Sequence, residues 1–309
     1  MKKIMTGKLL PKSWETFSKV EMIKLSIIVL SYNTKDLIIR CLQSVETAVK
    51  ELGGVEIIVV DNGSTDNSVE SIKDEDEKIQ IIENRKNLGF ARGNNLGLKK
   101  ATGKFILLLN SDTLLEKDTI HKMLKFMEEN PQIGVATCRV EFPDGSLDPA
   151  CHRGFPTPWA SLSYFLGLEK LFPKSRLFGQ YHLGYLPINK PHEIDSPSGA
   201  FYFLRREVIE KVGFLDEDYF MYGEDLDWSY RIKQAGFKIF YYPGVKITHL
   251  KKQSGRVSED KKIRRETKEY FYETMKIFYR KHYLKKYPSF LNFLMILGIN
   301  IKKWLATEE

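Results

Sequence analysis

Cysteine is scarce in this chain. Cys41, Cys138 and Cys151 are the only three in 309 residues, and no two stand at CxxC spacing. That excludes a disulfide framework and a zinc knuckle, and it fits a reducing compartment in which each thiol is a packing group. Met1–Lys24 does not read as a secretory leader either: it is basic but has no sustained apolar run, and Pro11 and Trp14 interrupt it, so residues 1–24 are expected to be an extension outside the fold. The charge-free stretch Tyr287–Ile301 spans only 15 residues, too few for a comfortable membrane-crossing helix. The first apolar run ends in Ser31-Tyr32-Asn33 without a GxGxxG, and there is no GxxxxGK[ST]. Neither a nicotinamide fingerprint nor a Walker-type phosphate loop is therefore present. No internal repeat or low-complexity segment occurs.

Positive charge is in excess but unevenly placed. The chain carries a net +8, yet residues 251–309 hold 15 Lys or Arg against 7 Asp or Glu, while residues 1–250 hold 33 of each sign. A uniformly basic protein would point to nucleic acid. A neutral body with one basic tail points to a local anionic partner instead, with no nucleic acid. A hydrophobic content of 42% with 28% charge is that of a globular chain.

Alternating strand and helix patterns fill the first half. Leu25–Leu30 is apolar and β-branched apart from Ser26, as suits a strand buried on both faces. Val55–Val60, Ile79–Ile82, Phe105–Leu109 and Ile133–Val140 continue the strand series. Asp36–Val49 and Asp118–Glu129 have helical spacing, and Asn87–Lys100 is rich in Gly and Asn. Such alternation with short links predicts an α/β doubly wound sheet. From Glu141 to Ser196 seven prolines and scattered aromatics break the periodicity, so this region reads as an insertion facing a substrate. Order returns with strands at Gly199–Leu204, Phe237–Tyr242 and Ile247–His249, a helix at Glu224–Gln234, and one long basic helix over Lys261–Tyr287.

Three acidic stations stand out. Asp61 in Val60-Asp61-Asn62-Gly63-Ser64-Thr65-Asp66 and Asp112 in Asn110-Ser111-Asp112 both follow apolar strands, at the edge where open α/β sheets bind ligands. Asp61 is placed to accept hydrogen bonds from a base or ribose, or to close an Asx-type turn. Asp112 is placed to hold Mg²⁺ or Mn²⁺ against a diphosphate, or to cap the next helix. Glu224, Asp225 and Asp227 open a helix, where the macrodipole favours acids. They arrive from the aromatic run Tyr219–Tyr222, a desolvating wall suited to a carboxylate base. Arg231 falls near the Glu224 face and is expected to steady it or to bind phosphate. His249 ends a β-rich run. Together these residues indicate an enzyme acting on a nucleotide-linked substrate.

In this order the motifs Ser26–Asn33, Val60–Asp66, Asn87–Asn95, Leu109–Asp112, Ser198-Gly199-Ala200 and Phe214–Glu217 leading into Tyr222–Asp227 resemble the family 2 glycosyltransferases, particularly a rhamnosyltransferase-like branch, over about Leu25–Tyr283. The resemblance implies a GT-A fold with a mixed, Rossmann-like doubly wound sheet. The nucleotide-sugar half would span residues 25–140, the acceptor half 141–250, and a helical tail 251–309. It implies donor contacts from Ser31, Tyr32, Asn33, Asp61, Arg92, Asn95, Asn110, Ser111 and Asp112. Acceptor contacts are implied for Ser198, Gly199, Ala200, Tyr222 and Trp228. Asp225 would be the base, with Glu224 second to it, and Asp112 and His249 would bind Mn²⁺ or Mg²⁺. Asn110 replaces the first carboxylate of the usual DXD motif.

The implied reaction is inverting transfer of a sugar to a glycan or lipid-linked hydroxyl in cell-surface polysaccharide synthesis. Rhamnose from dTDP-rhamnose is favoured, with UDP-hexose or UDP-galactofuranose as alternatives. The basic tail then implies a cytoplasmic enzyme held peripherally on an anionic membrane face, with packing on the domain or homo-oligomer contact as other uses of the same segment. Two competing functions remain open: nucleotidyl or phosphoryl transfer, which lacks its loop, and a non-catalytic glycan-binding or scaffold role, which retention of Asp112 and Asp225 opposes.

Overall fold

The computed structural model describes residues 23–250 and 261–308. The expected extension therefore lies almost wholly outside the described residues, as does the basic stretch 251–260. Nine strands form one mixed sheet: β1 (Leu25–Ser31), β2 (Val55–Asp61), β3 (Gln80–Glu83), β4 (Phe105–Asn110), β5 (Thr113–Leu115), β6 (Ile133–Glu141), β7 (His192–Glu193), β8 (Phe201–Arg205) and β9 (Lys238–His249). Their order is β3-β2-β1-β4-β8-β6-β9-β5, with β7 paired to β9. The half β3-β2-β1-β4 is parallel throughout. In the other half β8 runs antiparallel to β4 and β6, while β9 is parallel to β6.

Parallel strands demand cover on both faces, and the helices α1 (Lys35–Val49), α2 (Ser68–Glu75), α3 (Phe90–Lys100) and α4 (Thr119–Glu129) accompany them. The Gly/Asn-rich segment is α3, and its glycines are set by distance. A Cβ on Gly93 would sit 2.5 Å from Leu30 Cδ1, and one on Gly97 2.5 Å from Ile28 Cγ2. The helix thus lies closer to β1 than any larger residue permits.

The region read as an insertion contains a 3-10 turn at Pro149–Cys151 and two short helices, α5 (Pro158–Phe165) and α6 (Leu168–Leu171). After β8, α7 (Arg206–Val212) precedes α8, which spans Glu224–Gln234 as the sequence predicts. Pro243-Gly244 does not divide the last strand in two. β9 runs through it, with a register shift against β6 between Cys138 and Arg139 that absorbs the irregularity. All three cysteines are free and buried, and burial pushes the Cys41 and Cys151 thiols up to about 12, as packing thiols require.

The long basic helix expected over Lys261–Tyr287 is present but shorter, and a second helix follows it. α9 (Lys261–His282) ends before Pro288, and α10 (Ser289–Glu308) begins after it. Proline disfavours the helical region for the residue before it, which explains the break. Asn292 clamps the corner, donating to the carbonyls of Leu284 and Tyr287 and accepting from the Tyr279 hydroxyl. α9 packs on α8 through Tyr219, Leu226, Tyr230, Phe278, Tyr279 and Tyr283.

Candidate active site

The carboxyl ends of β1, β2 and β4 are bound together by short polar links. Ser31 Oγ lies 2.9 Å from Thr34 Oγ1, which donates to Ser111 Oγ at 3.1 Å. Asn33 accepts from the Thr65 amide at 2.8 Å, and its own amide donates to Ser64 Oγ at 2.9 Å. These contacts place the Asp61 and Asp112 loops on either side of one turn. They also commit Ser31, Asn33 and Ser111 to framing the loops, whereas Tyr32 stays 46% exposed beside them. Thr34 had no motif to mark it.

Asp61 is 2% exposed. Its Oδ2 accepts from the amides of Gly63 and Ser64 at 3.1 and 3.0 Å, while Oδ1 is buried with no hydrogen-bond partner. A buried acceptor left unmatched is costly unless a ligand N–H or O–H reaches it. Asp61 borders a cavity of about 190 Å³ together with Ser64, Thr65, Glu83 and Asn84.

Asp112 and His249 meet because β5 and β9 pair antiparallel with Thr113 opposite His249, and Leu250 N donates to the Asp112 carbonyl at 2.8 Å. His249 Nε2 is 3.1 Å from Asp112 Oδ1, and Nδ1 is 3.0 Å from Asp148 Oδ2. Asp148 also takes the Ala150 amide at 3.0 Å, capping the 3-10 turn. With Nδ1–H donated to Asp148, Nε2 faces Asp112 as a lone pair, and that approach calls for a proton or a cation between the two. Among the described residues no group of three or more His, Cys, Asp or Glu gathers as a metal site. Asp148 sits in the aperiodic region, so nothing in the sequence marked it.

The third station is carried by α8. Tyr222 and Gly223 both adopt left-handed backbone, φ 69° and 80°, which turns the chain sharply into the helix. The Phe220 carbonyl accepts from Phe90 N at 2.7 Å, docking this turn on the start of α3. Asp225 Oδ2 accepts from Arg153 Nη2 at 2.6 Å, and Oδ1 from Leu226 N at 2.7 Å. Glu224 lies beside it with Oε2 buried and unpartnered. Burial first, and the Asp225 charge second, raise the Glu224 pKa to about 8. Ser198 Oγ is likewise buried without a partner. Gly199 packs against the Phe90 ring, and the Ala200 carbonyl accepts from Asn110 N at 3.3 Å.

Three expectations need correction. Trp228 is fully buried, stacked on Tyr202 at 5.2 Å with Nε1 donating to the Gly213 carbonyl, so it is core and cannot touch an acceptor. Asn95 spends its amide on Leu215 N, Leu215 O and Glu217, clamping α3 to the 215–217 turn rather than facing a donor. Arg231 pairs with Asp227 at 2.8 Å and with the Val212 and Phe214 carbonyls, not with Glu224. Arg92 is exposed and 3.3 Å from Glu217. Asp227 proves structural: burial would raise its pKa, but the hydrogen bond from His282 and the charge of Arg231 hold it below the usual carboxylate value.

A mixed sheet of this order, with acidic loops along one edge, is the architecture of GT-A glycosyltransferases, and solved structures agree. A mannosyltransferase from Pyrobaculum calidifontis, in complex with GDP-Man and Mn²⁺, superposes with TM-score 0.58 at 18% identity, covering 92% of this chain and 70% of that one. Staphylococcus aureus TarS 1-349 in complex with UDP gives 0.52 at 18% identity, covering 82% and 63%. The chain belongs to glycosyl transferase family 2, whose model matches residues 26–213. An N-acetylglucosaminyl-diphospho-decaprenol L-rhamnosyltransferase from Mycobacterium tuberculosis is 24% identical over 242 residues, covering 74% of this chain and 77% of that protein. An uncharacterized glycosyltransferase from Rickettsia felis is 34% identical over 177 residues, covering 51% of this chain but only 29% of its own length.

Proposed function

We propose that this glycosyltransferase moves a sugar, rhamnose by preference, from a nucleoside diphosphate donor to a hydroxyl of a lipid-linked glycan, with inversion at the anomeric carbon. The observation that carries the proposal is the buried, unpartnered Oδ1 of Asp61 at the edge that also holds Asp112 and His249. Uracil and thymine present a ring N–H to such an oxygen. Asp112 and His249 fit a divalent cation, Mn²⁺ or Mg²⁺, with a diphosphate supplying further oxygens. Such an ion offsets charge building on the leaving diphosphate. Asp225 takes the acceptor proton as the hydroxyl oxygen attacks, and Ser198 and Tyr222 border the acceptor. The rhamnose preference follows the Mycobacterium tuberculosis relative, whose name also specifies a diphospho-polyprenol acceptor.

The test is a thermal-shift panel of dTDP-rhamnose, UDP-glucose, UDP-galactofuranose and GDP-mannose with Mn²⁺. Binding raises the melting temperature by mass action, and dTDP-rhamnose is expected to give the largest shift, followed by its slow hydrolysis. No shift from any nucleotide sugar would defeat the proposal. A largest shift from a UDP-hexose or UDP-galactofuranose would replace the sugar. Binding without turnover in the presence of acceptor would favour the scaffold role.

A further inference from the structure

The run Cys151–Pro156 carries no recognisable motif, yet it brings a guanidinium onto the proposed base. Arg153 is 8% exposed. Its backbone is fixed by pairing with Ser196: Arg153 N donates to Ser196 O at 3.3 Å, and Arg153 O accepts from the amides of Asp195 and Ser196, both at 3.0 Å. Nη2 then spans Asp225 Oδ2 at 2.6 Å and the Pro197 carbonyl at 2.7 Å. The Ser196 hydroxyl lies 3.4 Å from the Asp225 carbonyl oxygen, so both ends of that residue are tied to one loop.

We propose that Arg153 is a positioning residue for the transfer step, one that aims the Asp225 carboxylate at the acceptor hydroxyl. The proposal rests on the reading of Asp225 as the base. Four groups interact with that carboxylate: Arg153, Tyr181, Tyr202 and Glu224. Arg153 is the one cation among them. Its hydrogen bond pins Oδ2 at 2.6 Å while the Leu226 amide holds Oδ1 at 2.7 Å, so the carboxylate has one fixed orientation. A guanidinium is suited to this because it stays charged when buried.

Three variants test the proposal: Arg153→Met, Arg153→Lys and Asp225→Asn, each checked for a cooperative melt. In R153M, kcat for dTDP-rhamnose turnover is expected to fall about a hundredfold or more while donor KM holds. R153K, which keeps the charge but not the planar fork, should recover part of that loss and stay about tenfold below the parent, a factor worth ~1.4 kcal/mol. Parent-level kcat in folded R153M overturns the proposal. Should R153M not fold, an R153K enzyme with full kcat overturns it. Normal turnover by D225N beside an impaired R153M sinks the base assignment separately.

Discussion

At Asp61 one carboxylate serves two ends. Oδ2 closes the Asx-type turn, and Oδ1 is buried without a partner, so the structural reading of that position and the proposed ligand-binding one are compatible. The neighbouring acids of α8 divide more sharply. Asp225→Asn is expected to abolish transfer while nucleotide-sugar binding survives, because the amide is nearly isosteric yet takes no proton. Glu224→Gln should cost less, as Glu224 is already neutral over much of the working range. It also makes a stability prediction. A carboxyl whose folded pKa is raised to about 8 binds more protons folded than unfolded between the ordinary Glu value of about 4.3 and pH 8, so stability falls as pH rises through that window. Glu224→Gln removes this loss. Its melting temperature should gain on the parent between pH 5 and 8, and parallel curves would show that Glu224 titrates normally.

At the scale of elements, the strands and α8 were legible because apolar periodicity and acidic first turns are local signals. The helix expected over Lys261–Tyr287 is α9, which ends somewhat earlier, at His282, with Pro288 beyond it. What holds α9 down is a contact of another kind: Asp227 on α8 accepts from His282 Nε2 at 2.7 Å and from Arg231 at 2.8 Å. Breaking such a buried pair costs about 3–5 kcal/mol. Asp227→Asn should therefore lower the melting temperature. The effect should be full above the ordinary Asp pKa of about 3.9 and shrink as pH falls further, because the depressed pKa contributes stability only while the carboxylate is ionised. A deficit that stays constant down to pH 3 would assign Asp227 a purely steric role.

For the molecule as a whole, the basic tail is less free than its composition implies. Lys276 and Lys303 both reach Glu273 at 2.7 Å, Lys281 pairs with Asp216 and Asp218, Lys268 caps the Ala306 carbonyl, and Lys286 is held by the Tyr230 hydroxyl. Among the described residues no helix is long and apolar enough to cross a membrane. α10 nonetheless exposes Phe290, Phe293, Leu294, Leu297, Ile301, Trp304 and Leu305 at helical spacing on one side, while Met295, Ile296 and Ile299 turn inward. The expectation of membrane attachment thus narrows from the whole tail to this stripe, which we propose lies in an anionic interface without spanning it. Replacing Phe293 and Leu297 by Glu should abolish sedimentation with anionic vesicles at low salt and leave hydrolysis of soluble donor intact. If the parent does not sediment, or the variant sediments equally, the stripe is a self-association or packing face.

By itself the sequence determined the strands β1, β2, β4, β6 and β8, the helices α1, α4 and α8, that Asp61, Asp112 and Asp225 follow or open such elements, and the family to which those motifs belong. Each of these is written in residues close together in the chain. Tertiary structure alone decided the partners. Asp148 stands behind His249, Arg153 lies on Asp225, Asn95 clamps a distant turn, and Trp228 faces the core rather than the cleft. The first three of these contacts join residues 72, 101 and 120 positions apart: Arg153 with Asp225, Asp148 with His249, and Asn95 with Leu215. No local period encodes such pairings. They follow from the order in which nine strands are laid side by side, and that order is set by packing of the whole sheet.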